Sequence, residues 1–225
     1  MLSRRTLILA TGTGLLTSRA WAQAGTPGAG RCIAGGSGET PEPTDAYSDA
    51  RGRILIADSL THFSEATPSD AVCIAASFAG VATASYPLSA GVKGWIAHAA
   101  GPGKDQAGIS GLPLSDELGV PAAAVATMAA GLSDGPSVAE APIAFANETA
   151  RALGVRDGMT GRDAALLMLD GPENEGRDVS DRFDTQVRRV VGDSEAGIYT
   201  AWSIGLIDTC RPMDVFCVAS HSGAA

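Results

Sequence analysis

Apolar residues in this chain come in short continuous runs rather than in alternation. Four runs stand out, Arg53 to Ala57, Ala71 to Ala76, Val92 to Ala97 and Val120 to Ala126. Each ends in polar or turn-forming residues, in order Asp58-Ser59, Ser77 with Gly80, His98 with Gly101-Pro102-Gly103, and Thr127. Runs of this length between turn residues predict strands buried on both faces. The stretches between them carry helical spacing. Asp105 to Leu118 places Ile109, Leu112 and Leu118 near one face, with Pro113 as a kink. Glu140 to Leu153 and Thr160 to Leu169 read as further helices, the latter with Thr160 and Asp163 as an N-terminal cap pair and Gly171 as a stop. The alternation predicts a three-layer α/β fold with a mostly parallel sheet and helices on both faces. It also gathers the polar residues at the C-terminal edge of the sheet, where open parallel sheets bind ligands.

The N-terminus departs from this pattern. Ser3-Arg4-Arg5-Thr6 precedes an apolar stretch to Leu16 and then Ala20-Trp21-Ala22, which predicts a cleavable signal over 1–22, of twin-arginine type. The apolar part is too short to span a bilayer. Residues 23–50 are rich in Gly, Pro, Ser and Thr and read as a flexible linker before a single domain over 51–225. A periplasmic or secreted destination follows.

Without the signal, 203 residues carry 13 basic and 25 acidic groups. That acidity argues against nucleic acid or an anionic membrane surface as a partner. Four cysteines, Cys32, Cys73, Cys210 and Cys217, suit disulfides in an oxidising compartment. The short Cys210–Cys217 loop favours that pair, leaving Cys32 for Cys73, with a free buried Cys73 as the alternative. The chain lacks the Cys-x-x-Cys and histidine clusters of metal sites. Neither a metal nor a cofactor is implied.

Two segments echo one another. Arg53-Ile54-Leu55-Ile56-Ala57-Asp58-Ser59 resembles Arg189-Val190-Val191-Gly192-Asp193-Ser194, and Asp70 to Ser77 resembles Asp214 to Ser220. A partial internal duplication, with a second half-repeat from about residue 186, would produce this; so would chance among short apolar strands.

Candidate chemistry lies mainly at the strand ends. Gly103, Lys104 and Asp105 follow the third strand and open a predicted helix, so backbone N–H groups and a lysine would meet a carboxylate or phosphate. A solvated Lys104, with Asp105 capping the helix, is the structural alternative. Ser77, His98, Thr127, Asp134 and Asp58 would line the other walls. The loop is not a Walker A sequence, because His98 stands where its first glycine belongs.

The stretch Trp95–Asp134, with Gly-Lys-Asp-x-Ala-Gly-Ile at 103–109 and Leu118-Gly119-Val120-Pro121-Ala122-Ala123 after it, resembles a poorly characterised bacterial α/β family over roughly residues 53–160. The family pattern has Gly-Ser-His-Gly-Gly, Asn-Asp and Ser-Ala-Arg-Ile-Gly-Asp after successive strands. This chain has Ala76-Ser77-Phe78-Ala79-Gly80, His98-Ala99 and Ala129-Ala130-Gly131-Leu132-Ser133-Asp134 there, and keeps Lys104, Asp105, Ser77 and Asp134. The resemblance implies an α/β fold, and the departures imply altered or lost activity.

A different constellation reads as a serine esterase. Ser77 between strand and helix, then Asp214 and His221, follow the chain order of α/β hydrolases. Cys210-x-x-x-Asp214-x-x-Cys217 also resembles the tail of cutinase-like esterases. Ala75 and Ala79 replace both glycines of the usual elbow, and the gap between Asp214 and His221 is short. The remaining polar groups, His62, Asn147-Glu148 and the acidic Glu173, Glu175 and Asp178, read as solvated. Three functions emerge: a small-molecule cleft at the C-terminal strand edge, holding an anionic ligand; the esterase; or a non-catalytic domain with a decayed site.

Overall fold

Alanine and β-branched residues fill the strands, and their small or stiff side chains let helices approach both faces. The computed structural model describes residues 41–192, 196–203, 206–207 and 210–219. These divide into two units, residues 41–185 and 186–219, where the sequence suggests a single domain.

The larger unit contains β1 (Thr44–Asp49), β2 (Gly52–Ala57), β3 (Ala71–Phe78), β4 (Gly94–His98), β5 (Ala122–Val125) and β6 (Ile143–Ala146), adjacent in that order. β2 to β5 are parallel, and β1 and β6 close the edges antiparallel. Five helices accompany them, α1 (Val81–Ala90), α2 (Gly111–Glu117), α3 (Gly135–Glu140), α4 (Glu148–Ala152) and α5 (Gly161–Met168). The α/β architecture is the one the sequence predicts.

Parallel strands laid down in chain order, joined by right-handed crossovers, put successive connections on one face. Leu60 before β3, Val81, Ala84 and Leu88 of α1, and Leu112 and Leu114 of α2 accordingly share one core with Trp95. After β5 the chain changes face. Val138 and Ala139 of α3, and Ala164, Ala165 and Met168 of α5, pack on Ile54, Ile56, Val72 and Ile74. The neighbouring strands β4 and β5 therefore send their connections to opposite sides of the sheet.

Local chemistry explains where the elements depart from expectation. Thr44–Asp49, expected within the linker, is an edge strand with a bulge between Asp45 and Tyr47. Its polar sequence suits an edge that must not recruit other strands. The helix expected over Asp105–Leu118 is two pieces. Lys104–Ile109 is a 3-10 segment interrupted by left-handed Asp105 and Gln106, and α2 begins only at Gly111. Pro113 thus lies in the first turn of α2, where its missing N–H is harmless, and makes no kink. The helix expected over Glu140–Leu153 contains β6. Pro142 ends α3 by forcing Ala141 into extended backbone, and Ile143–Ala146 then pairs with β5. The last expected helix does form, with the Thr160 side chain accepting the Asp163 N–H at 3.1 Å.

Lys93, inside an apolar run, is buried at the N-terminal edge of β4. Its ammonium donates to the carbonyls of Arg51 at 2.9 Å and Leu169 at 3.0 Å, tying the β1–β2 turn to the end of α5. Asn147, expected on a solvated face, is buried as the cap of α4.

In the smaller unit β7 (Arg188–Gly192) pairs antiparallel with β8 (Gly197–Ala201), and β8 pairs parallel with β9 (Val215–Val218). The Tyr199 ring stacks on Phe216 at 5.2 Å, and Arg211 donates to the Tyr199 hydroxyl at 3.0 Å. Cys73 is free and buried, and Cys217 is free and exposed. Neither the Cys210–Cys217 nor the Cys32–Cys73 pairing forms. Cys73 sits in the middle of β3 beneath the helices, where burial pushes its thiol well above the ordinary range. It behaves as a small core residue. No helix among the described residues is long and apolar enough to cross a membrane.

Candidate functional site

The polar residues at the C-terminal strand ends do converge, and most of them hold backbone. The Ser77 hydroxyl accepts the Leu60 N–H at 3.0 Å and is buried. Asp58 accepts the Gly135 N–H at 3.2 Å, drawing the start of α3 onto the end of β2. The fit there is so close that a Cβ on Gly135 would stand 2.3 Å from the Ala57 carbonyl oxygen. Asp134 caps α3 through the Ser137 N–H at 3.2 Å.

His98 joins the β4 and β5 connections. Its Nδ1 accepts the Ala100 N–H at 2.8 Å, which leaves Nε2–H to donate to the Ala130 carbonyl at 3.0 Å. The two bonds select the neutral ring with the proton on Nε2. Beside it, the Thr127 hydroxyl accepts the Gly101 N–H at 2.9 Å. The loops 99–110 and 126–134 are thereby laced together just above the ends of β4 and β5.

These two loops also hold the backbone strain. Ala100, Asp105, Gln106 and Ser133, at φ of 49°, 57°, 58° and 56°, are the non-glycine residues with positive φ among those described. Lys104 projects from the first loop with its side chain 92% exposed and 3.9 Å from the Asp105 carboxylate. The expected helix start at Asp105 does not exist, so no helix dipole supports an anion at Gly103–Asp105. Any charge attraction there comes from Lys104 itself.

The esterase reading fares differently. Ser77 lies within β3 and is not among the positive-φ residues, so it lacks the strained turn of a nucleophile elbow. It is also buried, with its hydroxyl already accepting the Leu60 N–H. Asp214 accepts the Gly197 N–H at 2.9 Å and the Arg211 N–H at 2.8 Å. Burial pulls its carboxyl upward, but the Arg211 amide and guanidinium outweigh that and hold it below the usual range. Those bonds make it a turn anchor. His221 lies outside the described residues, as do the signal 1–22, Cys32 and Asp193-Ser194.

Among the other groups, His62 is part-buried rather than exposed, its Nδ1 lacks a partner, and burial lowers its pKa against the pull of Asp58. Asp178 is exposed, its carboxylate bonded to Ser180. A cavity of about 310 Å³ opens at the opposite edge, between Leu88, Leu118 and Val120 below and Glu173–Arg177 above. No strand-end motif marks it in the sequence. Its rim is a loop that docks by backbone, with Arg177 N–H on the Leu88 carbonyl at 2.9 Å. No cluster of three metal-ligating side chains occurs among the described residues. Comparison with known protein families, with curated proteins and with solved structures finds no match for this chain.

Proposed function

We propose that this is an exported α/β protein whose larger unit binds a small anionic molecule at the C-terminal strand edge, against the β4–α2 and β5–α3 loops. The observation that carries the reading is the coincidence of two features there. Connections diverge to opposite faces at neighbouring strands, the arrangement that opens a crevice at a parallel sheet edge, and the left-handed non-glycine residues fall in the same two loops. Each such residue costs about 1–3 kcal/mol and persists where the surroundings or a function require it. Lys104 supplies the positive charge. Ser77, His98, Thr127, Asp58 and Asp134 shape the walls, and because they already hold backbone groups, binding is favoured over covalent chemistry. Export rests on the pattern of residues 1–22.

A thermal-shift series tests this with small carboxylates and phosphates on the parent chain, Lys104→Ala and Gln106→Gly. A ligand at about 100 times its dissociation constant stabilises the fold by roughly 2.7 kcal/mol. That shift should vanish in Lys104→Ala. Gln106→Gly should melt higher by about 0.5–1 kcal/mol of stability, because glycine accepts the left-handed backbone, and should bind more weakly. The decayed-site reading, which the bonded polar side chains favour, requires instead that no compound shift any of the three proteins.

A further inference from the structure

At a constant spacing of 144 residues, 44–76 align without a gap on 188–220, with eight of 33 positions identical. The identities are Asp49/Asp193, Ile54/Ile198, Ala57/Ala201, Ser59/Ser203, Pro68/Pro212, Asp70/Asp214, Cys73/Cys217 and Ala75/Ala219. The structure repeats at the same spacing. β1 and β2 pair as Thr44↔Ile56, Asp45↔Leu55 and Tyr47↔Ile54, and β7 and β8 as Arg188↔Thr200, Arg189↔Tyr199 and Val191↔Ile198. The bulge falls at the same step in both hairpins. A parallel third strand follows in each. The residue at the matched position after the hairpin turn, Arg53 or Gly197, donates its N–H to the matched aspartate, Asp70 through its carbonyl and Asp214 through its carboxylate. Strand 188–192 therefore corresponds to β1, not to β2 as the local likeness of Arg53–Ser59 and Arg189–Ser194 suggests. One difference is real: β9 is set one residue off the register of β3, with Val215 opposite Ile198.

The two copies differ most in their cover. Ile54 and Ala71 are fully buried, whereas their counterparts Ile198 and Val215 are 40% and 54% exposed. In the larger unit β3 has β4 on its far side; β9 ends its sheet among the described residues. Sheet edges are normally guarded by charge, proline or a bulge. The outer edge of β1 has Asp45, Asp49 and a bulge, and that of β7 has Arg188, Arg189 and a bulge. β9 reads Val-Phe-Cys-Val and has none of these.

We propose that residues 188–219 repeat the first three strands of the larger sheet, and that the unguarded β9 edge docks a second copy of this chain. Charge selects that partner and that place. Residues 44–185 carry nine basic and nineteen acidic groups and would repel a copy, while residues 186–220 carry three and four. An uncharged edge is also self-complementary, since two β9 strands running antiparallel about a two-fold axis present each other with identical surfaces.

The test is sedimentation equilibrium of the chain from residue 23 across a hundredfold range of concentration, with Val215→Lys and, as control, Met128→Lys at an exposed position in the other unit. The expected result is a concentration-dependent dimer in the parent and the control and a monomer in Val215→Lys. A monomer at every concentration, or a dimer unaffected by Val215→Lys, overturns the proposal. Hydrogen exchange on the unsubstituted chain decides the matter even if that variant does not fold. Amides of 215–218 should gain protection as concentration rises. Protection independent of concentration would assign the edge to the chain's own N-terminal segment, and no protection would leave it without an occupant; either result overturns docking of a second copy.

Discussion

Trp95→Ala should lower the stability of the larger unit by about 3–5 kcal/mol, the usual range for emptying a buried aromatic site. Trp95 is fully buried in the core beneath α1 and α2. Its sheet partners are Cys73 on β3 and Ala122 on β5, neither long enough to fill the space. The indole N–H donates to the buried Ser115 hydroxyl at 3.0 Å, so truncation also leaves a polar group of α2 without its partner. A cavity that cannot collapse keeps its full penalty. Against a typical domain stability of about 5–15 kcal/mol, the loss should be plain in urea melts followed by circular dichroism. A change under about 1 kcal/mol would mean that α2 does not pack as described.

Asn147→Ala should come next, at about 3–4 kcal/mol, although it removes only a small polar side chain. Its carbonyl oxygen accepts the N–H groups of Ala122 at 3.0 Å and Ala150 at 2.9 Å, and its amide donates to the Val120 carbonyl at 2.8 Å. One residue thus caps α4 and also closes the entrance of β5. Removing it strands three buried backbone groups, each costing about 1–3 kcal/mol less whatever water reaches them. Asn147→Ser keeps a capping oxygen for Ala150 and should recover about 1 kcal/mol. If serine and alanine melt alike, the α4 cap contributes nothing and the bonds to β5 carry the whole effect.

Such residues mark the boundary between what the chain displays in its sequence and what only its folding creates. The four parallel strands are legible because strands covered on both faces are apolar throughout, and short apolar runs bounded by turn residues suit little else. β1 is hidden because an edge strand can be polar, and Thr44–Asp49 looks like linker. β6 is hidden because Pro142 has to be weighed against the helical spacing around it. Asn147 and Lys93 give no signal at all. Their burial depends on backbone groups distant in the chain, Val120 for one and Leu169 for the other. Topology alone places the strand-end residues Ser77, His98, Thr127, Asp58 and Asp134 at one edge. What each one bonds to is not readable from the sequence, because their partners are loop amides and carbonyls. Lys104 stands in its predicted loop, but without the helix expected behind it.

The most direct test of the ligand site is to map backbone amide shifts by NMR while titrating a small dianion such as phosphate or succinate. Binding at the C-terminal strand edge predicts saturable changes confined to Ala99–Gln106 and Thr127–Asp134, absent in Lys104→Ala. Changes centred instead on Leu88, Leu118 and Glu173–Arg177, at the opposite edge of the sheet, would contradict it.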